Sequence, residues 1–278
     1  MQALTRSTCQ IRNMEIAYFV TGQGEPILFL HGITTYSFIW RNIVPLLEKK
    51  YQIIGLDLPG CGTSGKNIEE SYSIKNQAAL INSFLEKTGF SKVHLVGHDV
   101  GGGIAQIVAV NFPEKLFSLT LINSVAYDFW PVQPIIAIRT PVIRQLAMAA
   151  LDMGALRLVI KRGLHQTKNF TDELLGYFLE PLKTKEGRKA FLHFAASLDN
   201  NNLVEIEDKL LQLKIPTLII RGEEDLYLSE TISEKLANTI PDAKLVRIPN
   251  AGHFIQEDEP ELVAIELTTF FGSLINDE

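Results

Sequence analysis

The stretch Gly97-His98-Asp99-Val100-Gly101 restricts this chain more than any other. It follows the apolar run Val93-His94-Leu95-Val96 and precedes a glycine-rich helical pattern from Gly102 to Phe112. A short continuous apolar run is what a strand buried on both faces requires. A strand, a sharp turn and a helix are therefore expected to meet at Asp99. Gly97 and Gly101 leave room for neighbouring backbone to approach that turn. Asp99 at its tip would stand at a helix N-terminus, where the helix dipole favours an anion.

The same alternation extends along the chain. Ile11–Val20 reads as an early strand-pair region, Pro26–Leu30 and Tyr51–Gly55 as short buried strands, and Trp40–Glu48 as an amphipathic helix. Leu58–Gly65 is a loop by composition, and Ser73–Lys87 reads as a helix with Gly89 just past its end. Further strands are expected at Leu119–Ile122, Pro216–Ile220 and Lys244–Ile248, with helices at Ser229–Thr239 and Pro260–Ser273. This order predicts a mostly parallel sheet covered by helices on both faces. Between Tyr127 and about Asp208 the periodicity is helical only, as at Leu174, Leu175, Phe178, Leu179 and Leu182. The simplest division is a core of residues 1–125 and 209–278, interrupted by a helical insertion of residues 126–208.

Composition narrows the function. With 46% hydrophobic residues over 278 positions the chain can bury a real core, and its formal net charge of −6 gives nucleic acid no attractive surface. The one basic cluster, Lys183, Lys185, Arg188 and Lys189, reads as a solvated helix face. Cys9 and Cys61 fit neither a disulfide framework nor a metal spacing, and no His/Cys/carboxylate grouping suggests a metal. Met1–Arg12 lacks the apolar core of a signal peptide, and the most apolar stretch, Phe129–Ile160, is broken by Arg139, Arg144, Asp152 and Arg157. No uncharged run reaches the ~18 residues a membrane span needs. A cytoplasmic protein without cofactor, membrane or nucleic-acid partner is expected.

Catalytic groups in open parallel sheets gather beyond the carboxyl ends of the strands. Four chemistry-bearing loops fall there: His31-Gly32, Asp99, Asp225 in Arg221-Gly-Glu-Glu-Asp225, and His253 in Asn250-Ala-Gly-His253. Asp225 would orient and charge-stabilise His253, in competition with Glu223, Glu224 and Asp128 for that role. The backbone N–H groups of Ile33 and Val100 would form an oxyanion hole. His31, Trp40, Tyr127, Trp130 and Tyr177 are the candidate substrate contacts, each weighed against a packing role; His98 reads as structural.

On these residues the chain resembles the α/β-hydrolases over almost its whole length. His31-Gly32, Asp57-Leu-Pro-Gly-Cys-Gly-Thr-Ser64, the Asp99 turn, Gly222-Glu-Glu-Asp225 and Gly252-His253 match that superfamily in order. Within it, Gly97-His98-Asp99-x-Gly101-Gly102 resembles the aspartate-nucleophile branch of epoxide hydrolases and dehalogenases. The resemblance implies that the helical insertion caps the active site and that Asp99 attacks saturated carbon, giving an alkyl ester which water, deprotonated by His253, then hydrolyses. An aspartate carboxyl in water titrates near pH ~3.9, so it is ionised at neutral pH without help from a base.

The leaving group discriminates within the branch. Haloalkane dehalogenases carry donor side chains where this chain has Ile33 and Val100, and haloacetate dehalogenases carry an arginine at the Val100 position. Epoxide hydrolases often have proline where Thr34 stands and tryptophan at Val100, but chiefly need cap tyrosines, for which Tyr127 and Tyr177 are the candidates. Hydrolysis of an epoxide on a small hydrophobic substrate, with water as co-substrate, is the leading expectation. Dehalogenation, ester or lactone hydrolysis through a mixed anhydride, and a non-enzymatic small-molecule receptor are the alternatives.

Overall fold

A computed structural model of the chain describes residues 5–129 and 154–275. Eight strands form one sheet: β1 (Arg6–Ile11), β2 (Met14–Thr21), β3 (Glu25–Leu30), β4 (Tyr51–Leu56), β5 (Val93–Asp99), β6 (Leu116–Ser124), β7 (Thr217–Gly222) and β8 (Lys244–Ile248). Their spatial order is β1-β2-β4-β3-β5-β6-β7-β8. The β1–β2 and β2–β4 pairs are antiparallel and every later pair is parallel. Of these strands β1 is the one the sequence pattern hides. Its residues are mostly exposed at the sheet edge, so no apolar run marks it.

The central strands are buried because helices cover them. Described helices of the sheet layer are α1 (Ile74–Thr88), α2 (Val100–Asn111), α6 (Glu230–Thr239), α7 (Ile255–Asp258) and α8 (Pro260–Ile275). Between β6 and β7 lie α3 (Ala155–Gly163), α4 (Asp172–Leu179), α5 (Lys185–Ser197) and shorter turns, with no strand among the described residues. Helix α1 starts where Ser73 accepts from the Asn76 N–H at 3.3 Å and stops at Gly89, whose φ is +80°. The helix expected over Trp40–Glu48 is instead a 3-10 turn at Ser37–Trp40 and a single turn at Val44–Leu47. Pro45 has no N–H to continue a longer one.

Strand register sets the site. Leu30 pairs with Gly97, Asp99 with Ser124, Ile122 with Ile220, and Gly222 with Ile248. The loops carrying Gly32, Asp99, Asp225 and His253 therefore leave the sheet along one edge. No helix among the described residues is long and apolar enough to cross a membrane.

Candidate active site

The turn at Asp99 is strained and enclosed. Asp99 has φ +53° and ψ −121°, a conformation L-residues rarely adopt and one that costs about 1–3 kcal/mol. Close packing holds it there: a Cβ on Gly97 would stand 2.4 Å from the Gly101 carbonyl oxygen. The carboxylate is met by backbone. The Ile33 N–H donates to Asp99 Oδ2 at 3.1 Å, and the neighbouring Val100 N–H favours the charged form of the carboxylate. Gly32 permits this contact, since a Cβ there would sit 2.5 Å from Oδ2. Burial pushes the Asp99 pKa up, while His253 and the two backbone N–H groups pull against it; the net direction is up.

His253 and Asp225 meet as the sequence suggests, with Nδ1 3.0 Å from Oδ2. The other Asp225 oxygen accepts from the N–H groups of Tyr227 at 2.8 Å and Leu228 at 3.2 Å. Glu223, Glu224 and Asp128 are exposed, and Asp225 is the carboxylate that meets the imidazole. Burial opposes charge on His253, but Asp225 and then Asp99 overcome it and raise its pKa. Burial would likewise raise Asp225, but the imidazole and the two N–H donors lower it on balance.

Other sequence candidates fall elsewhere. His31 donates from Nδ1 to the Gly32 carbonyl at 2.7 Å and accepts the Leu58 N–H at Nε2 at 2.9 Å. Both ring nitrogens are engaged, and burial lowers its pKa to about 4, so His31 is a neutral brace of its loop and not a substrate contact. Trp40 is fully buried in the core, 4.6 Å from the Phe29 ring, which corrects its assignment to substrate. Tyr127 donates its hydroxyl to Thr239 of α6 at 2.9 Å, and Tyr177 donates to Glu173 at 3.0 Å while its ring stacks on Phe38. Neither hydroxyl is free to serve a leaving group. Trp130 lies outside the described residues.

His98, read from the sequence as structural, braces this region, and Asn123 and Phe178 serve it without a signal in the sequence. His98 Nε2 donates to the His253 carbonyl at 2.9 Å, and Asn123 Nδ2 donates to the same oxygen at 3.0 Å. Asn123 also accepts the Gly222 N–H at 2.9 Å, so it ties the loop of the acid to the loop of the histidine. Its positive φ of +39° marks it structurally, whereas in sequence it is one polar residue ending an apolar strand. Three rings flank the imidazole, His98 at 4.9 Å and Phe254 and Tyr227 at 5.2 Å each, and Phe178 of α4 lies 5.0 Å from Phe254. The sequence shows Phe178 only as one of several apolar positions on an amphipathic helix.

A half-buried carboxylate on a strained turn, with a backbone N–H on one oxygen and an acid-supported histidine nearby, has the groups that acyl or alkyl transfer to water calls for. The chain belongs to the alpha/beta hydrolase fold family, which matches residues 25–146 and 172–260, more than half of its length. It is 28% identical to "Haloalkane dehalogenase 2" of Mycobacterium tuberculosis, covering 92% of this chain and 91% of that protein. It is 27% identical to "Monoacylglycerol lipase abhd6-B" of Xenopus laevis, covering 91% and 79%. It is 26% identical to "Epoxide hydrolase 1" of Caenorhabditis elegans, covering 94% and 69%. The protein is a hydrolase of the α/β fold.

Proposed function

We propose that this hydrolase opens an epoxide on a small apolar molecule through a covalent ester of Asp99, with Asp225 and His253 completing the machinery. One observation carries the reading: Asp99 Oδ2 is held by the Ile33 N–H at 3.1 Å. The other carboxylate oxygen is then the one that bonds to carbon, and Oδ2 lies where negative charge develops when water attacks the ester. In the first half-reaction Oδ1 bonds to a ring carbon, the carbon–oxygen bond of the ring breaks, and the alkoxide takes up one proton. In the second, His253 takes a proton from water, the hydroxide adds to Cγ, and the tetrahedral oxyanion at Oδ2 collapses to expel the diol. Asp99 leaves as the free acid and gives its proton back, so the cycle closes on one water. His253, with its raised proton affinity, buffers this exchange, and water relays the proton to the departing oxygen.

An epoxide suits the site because its leaving oxygen stays tethered to the product. A free halide would need its own donors, and the side chains at Ile33 and Val100 supply none. The helices between β6 and β7 act here as a cap, residues 126–208, over a core of residues 1–125 and 209–278. Phe178 brings that cap to Phe254, beside His253, which favours an apolar substrate. Dehalogenation is the second reading, favoured by the Mycobacterium relative spanning 92% of this chain.

The test is intact-mass analysis of H253A incubated separately with styrene oxide, n-butyl bromide and p-nitrophenyl butyrate. An adduct on Asp99 from styrene oxide is the expected result. An adduct from the bromide alone makes the protein a dehalogenase, and one from the ester alone an acyl-transfer hydrolase. Single turnover of the wild type in heavy-oxygen water should place label in the Asp99 carboxylate. Label passing straight to product, with Asp99 unlabelled, would end the covalent reading.

A further inference from the structure

Asp258 ends α7 and is buried, 6% exposed. Its Oδ2 accepts the Gly252 N–H at 2.8 Å and the His165 N–H at 2.9 Å. Its Oδ1 accepts the Gln166 N–H at 3.0 Å. One carboxylate thus joins the residue immediately before His253 to the segment that leaves α3 on the other side of the site. Hydrogen bonds to an ionised acceptor are stronger than neutral ones, and three converging donors fix the group in direction as well as distance.

The surrounding contacts run between the same two segments. The Phe254 N–H donates to the Gly163 carbonyl at 3.0 Å, so one neighbour of His253 is tied to this stretch directly and the other, Gly252, through Asp258. Gln166 Nε2 donates to the Asp258 carbonyl at 2.9 Å, and Asn169 Nδ2 to the Glu257 carbonyl at 2.7 Å. Glu257 in turn holds Arg41 and Asn42, which follow the loop bearing Ile33. Helix α7 is only one turn long, and that turn alone could not hold a loop against thermal motion.

We propose that Asp258 is a positioning residue for the base step, fastening the His253 loop to residues 165–166 so that the imidazole faces the Asp99 ester. The proposal rests on the covalent reading above. Attack of water on Cγ needs the imidazole placed to within a fraction of an ångström, whereas the first attack by Asp99 does not use it as a base. Loss of Asp258 should therefore act on one half-reaction and spare the other.

In D258A with styrene oxide, kcat should fall about tenfold to a hundredfold with KM falling in step, leaving kcat/KM near the wild-type value. Intact mass should show the Asp99 ester accumulating during turnover. In proton NMR of the resting enzyme, the far-downfield signal of the proton shared by His253 and Asp225 should broaden or vanish. D258N keeps an oxygen for Gly252 and His165 but turns an amide N–H toward Gln166; it should fall between the two, and it replaces D258A if that variant does not fold. Equal loss in both half-reactions, or wild-type turnover with an unchanged downfield signal, would overturn the proposal. Should H253A form no adduct with styrene oxide, the covalent reading fails by itself, and the NMR signal alone then judges Asp258.

Discussion

Two sets of a candidate nucleophile, a histidine and an acid stand at opposite ends of the strands of one sheet. At the carboxyl edge are Asp99, His253 and Asp225. At the amino edge, Ser118 Oγ lies 2.8 Å from His94 Nδ1, and His94 Nε2 lies 3.3 Å from Glu25 Oε2. By residue type the second is the more familiar hydrolytic set. Yet Ser118 sits in mid-strand and is fully buried, and the His94 ring is stacked 4.1 Å from Phe271. It lacks a strained turn, a helix N-terminus behind the nucleophile and backbone donors for a developing charge. The histidines respond oppositely: burial lowers the pKa of His94 despite Glu25, while Asp225 and Asp99 raise that of His253 against burial. Proximity of the three residue types is therefore not the scarce ingredient. What matters is a carboxyl-end turn that presents the nucleophile and supplies N–H groups to it.

Substitution can break or sharpen that contrast. The largest effect is expected at the nucleophiles: D99N should lose at least about ten-thousand-fold in turnover of styrene oxide, and S118A should lose none. Steady-state kinetics on the two purified variants decide it. Next comes the base. H253A should drop kcat by about 10²–10⁴ and trap the ester seen by intact mass, while H94Q keeps wild-type kcat. Then the backbone donors: G32A would place a Cβ 2.5 Å from Asp99 Oδ2, displacing the carboxylate from the Ile33 N–H. A loss of about 10²–10³ in kcat, with an unchanged circular dichroism spectrum, is expected.

The pH effects are smaller and opposite in sign. His253 must be neutral to act as base, and its pKa is raised. The acid limb of kcat should therefore lie above the ordinary histidine value of about 6.5, and move down in D225N, which removes a raising charge. For stability, His31 and His98 are held neutral by burial, to about 4 and about 3. The unfolded chain takes up these protons first, so stability present above about pH 6.5 is lost as pH falls toward 4. Each such histidine contributes about 1.4 kcal/mol per pH unit. His94 adds to that loss, whereas His253, with a raised pKa, favours the folded state at low pH. In urea titrations at pH 7 and pH 5, H94Q should flatten the acid loss and H253Q should steepen it.

Much of this was legible in the chain. The apolar runs ending at Leu30, Val96, Ile122 and Ile220 marked parallel strands, because a strand buried on both faces tolerates little else, while β8, ending at Ile248, is a half-exposed edge strand with charged residues among its apolar ones. Asp99, Asp225 and His253 followed from their place just beyond those runs. Trp40, Tyr127 and Tyr177 misled, because an aromatic residue near a site in sequence carries no information on which way its ring points. Asn123 and Asp258 were invisible for a related reason: each acts by hydrogen bonds to backbone 99 or more and 92 or more residues away, apart from the short link from Asp258 to Gly252.

What the sequence determined by itself was the alternation of elements and the kind of chemical group at each strand end, since local periodicity and turn glycines are properties of neighbours in the chain. Tertiary contacts alone set which of two similar side-chain sets lies on a strained turn beside a backbone N–H, and how the histidine loop is held. Those depend on register, on a φ of +53° at Asp99, and on N–H groups converging from distant segments, none of which is written in any one stretch of residues.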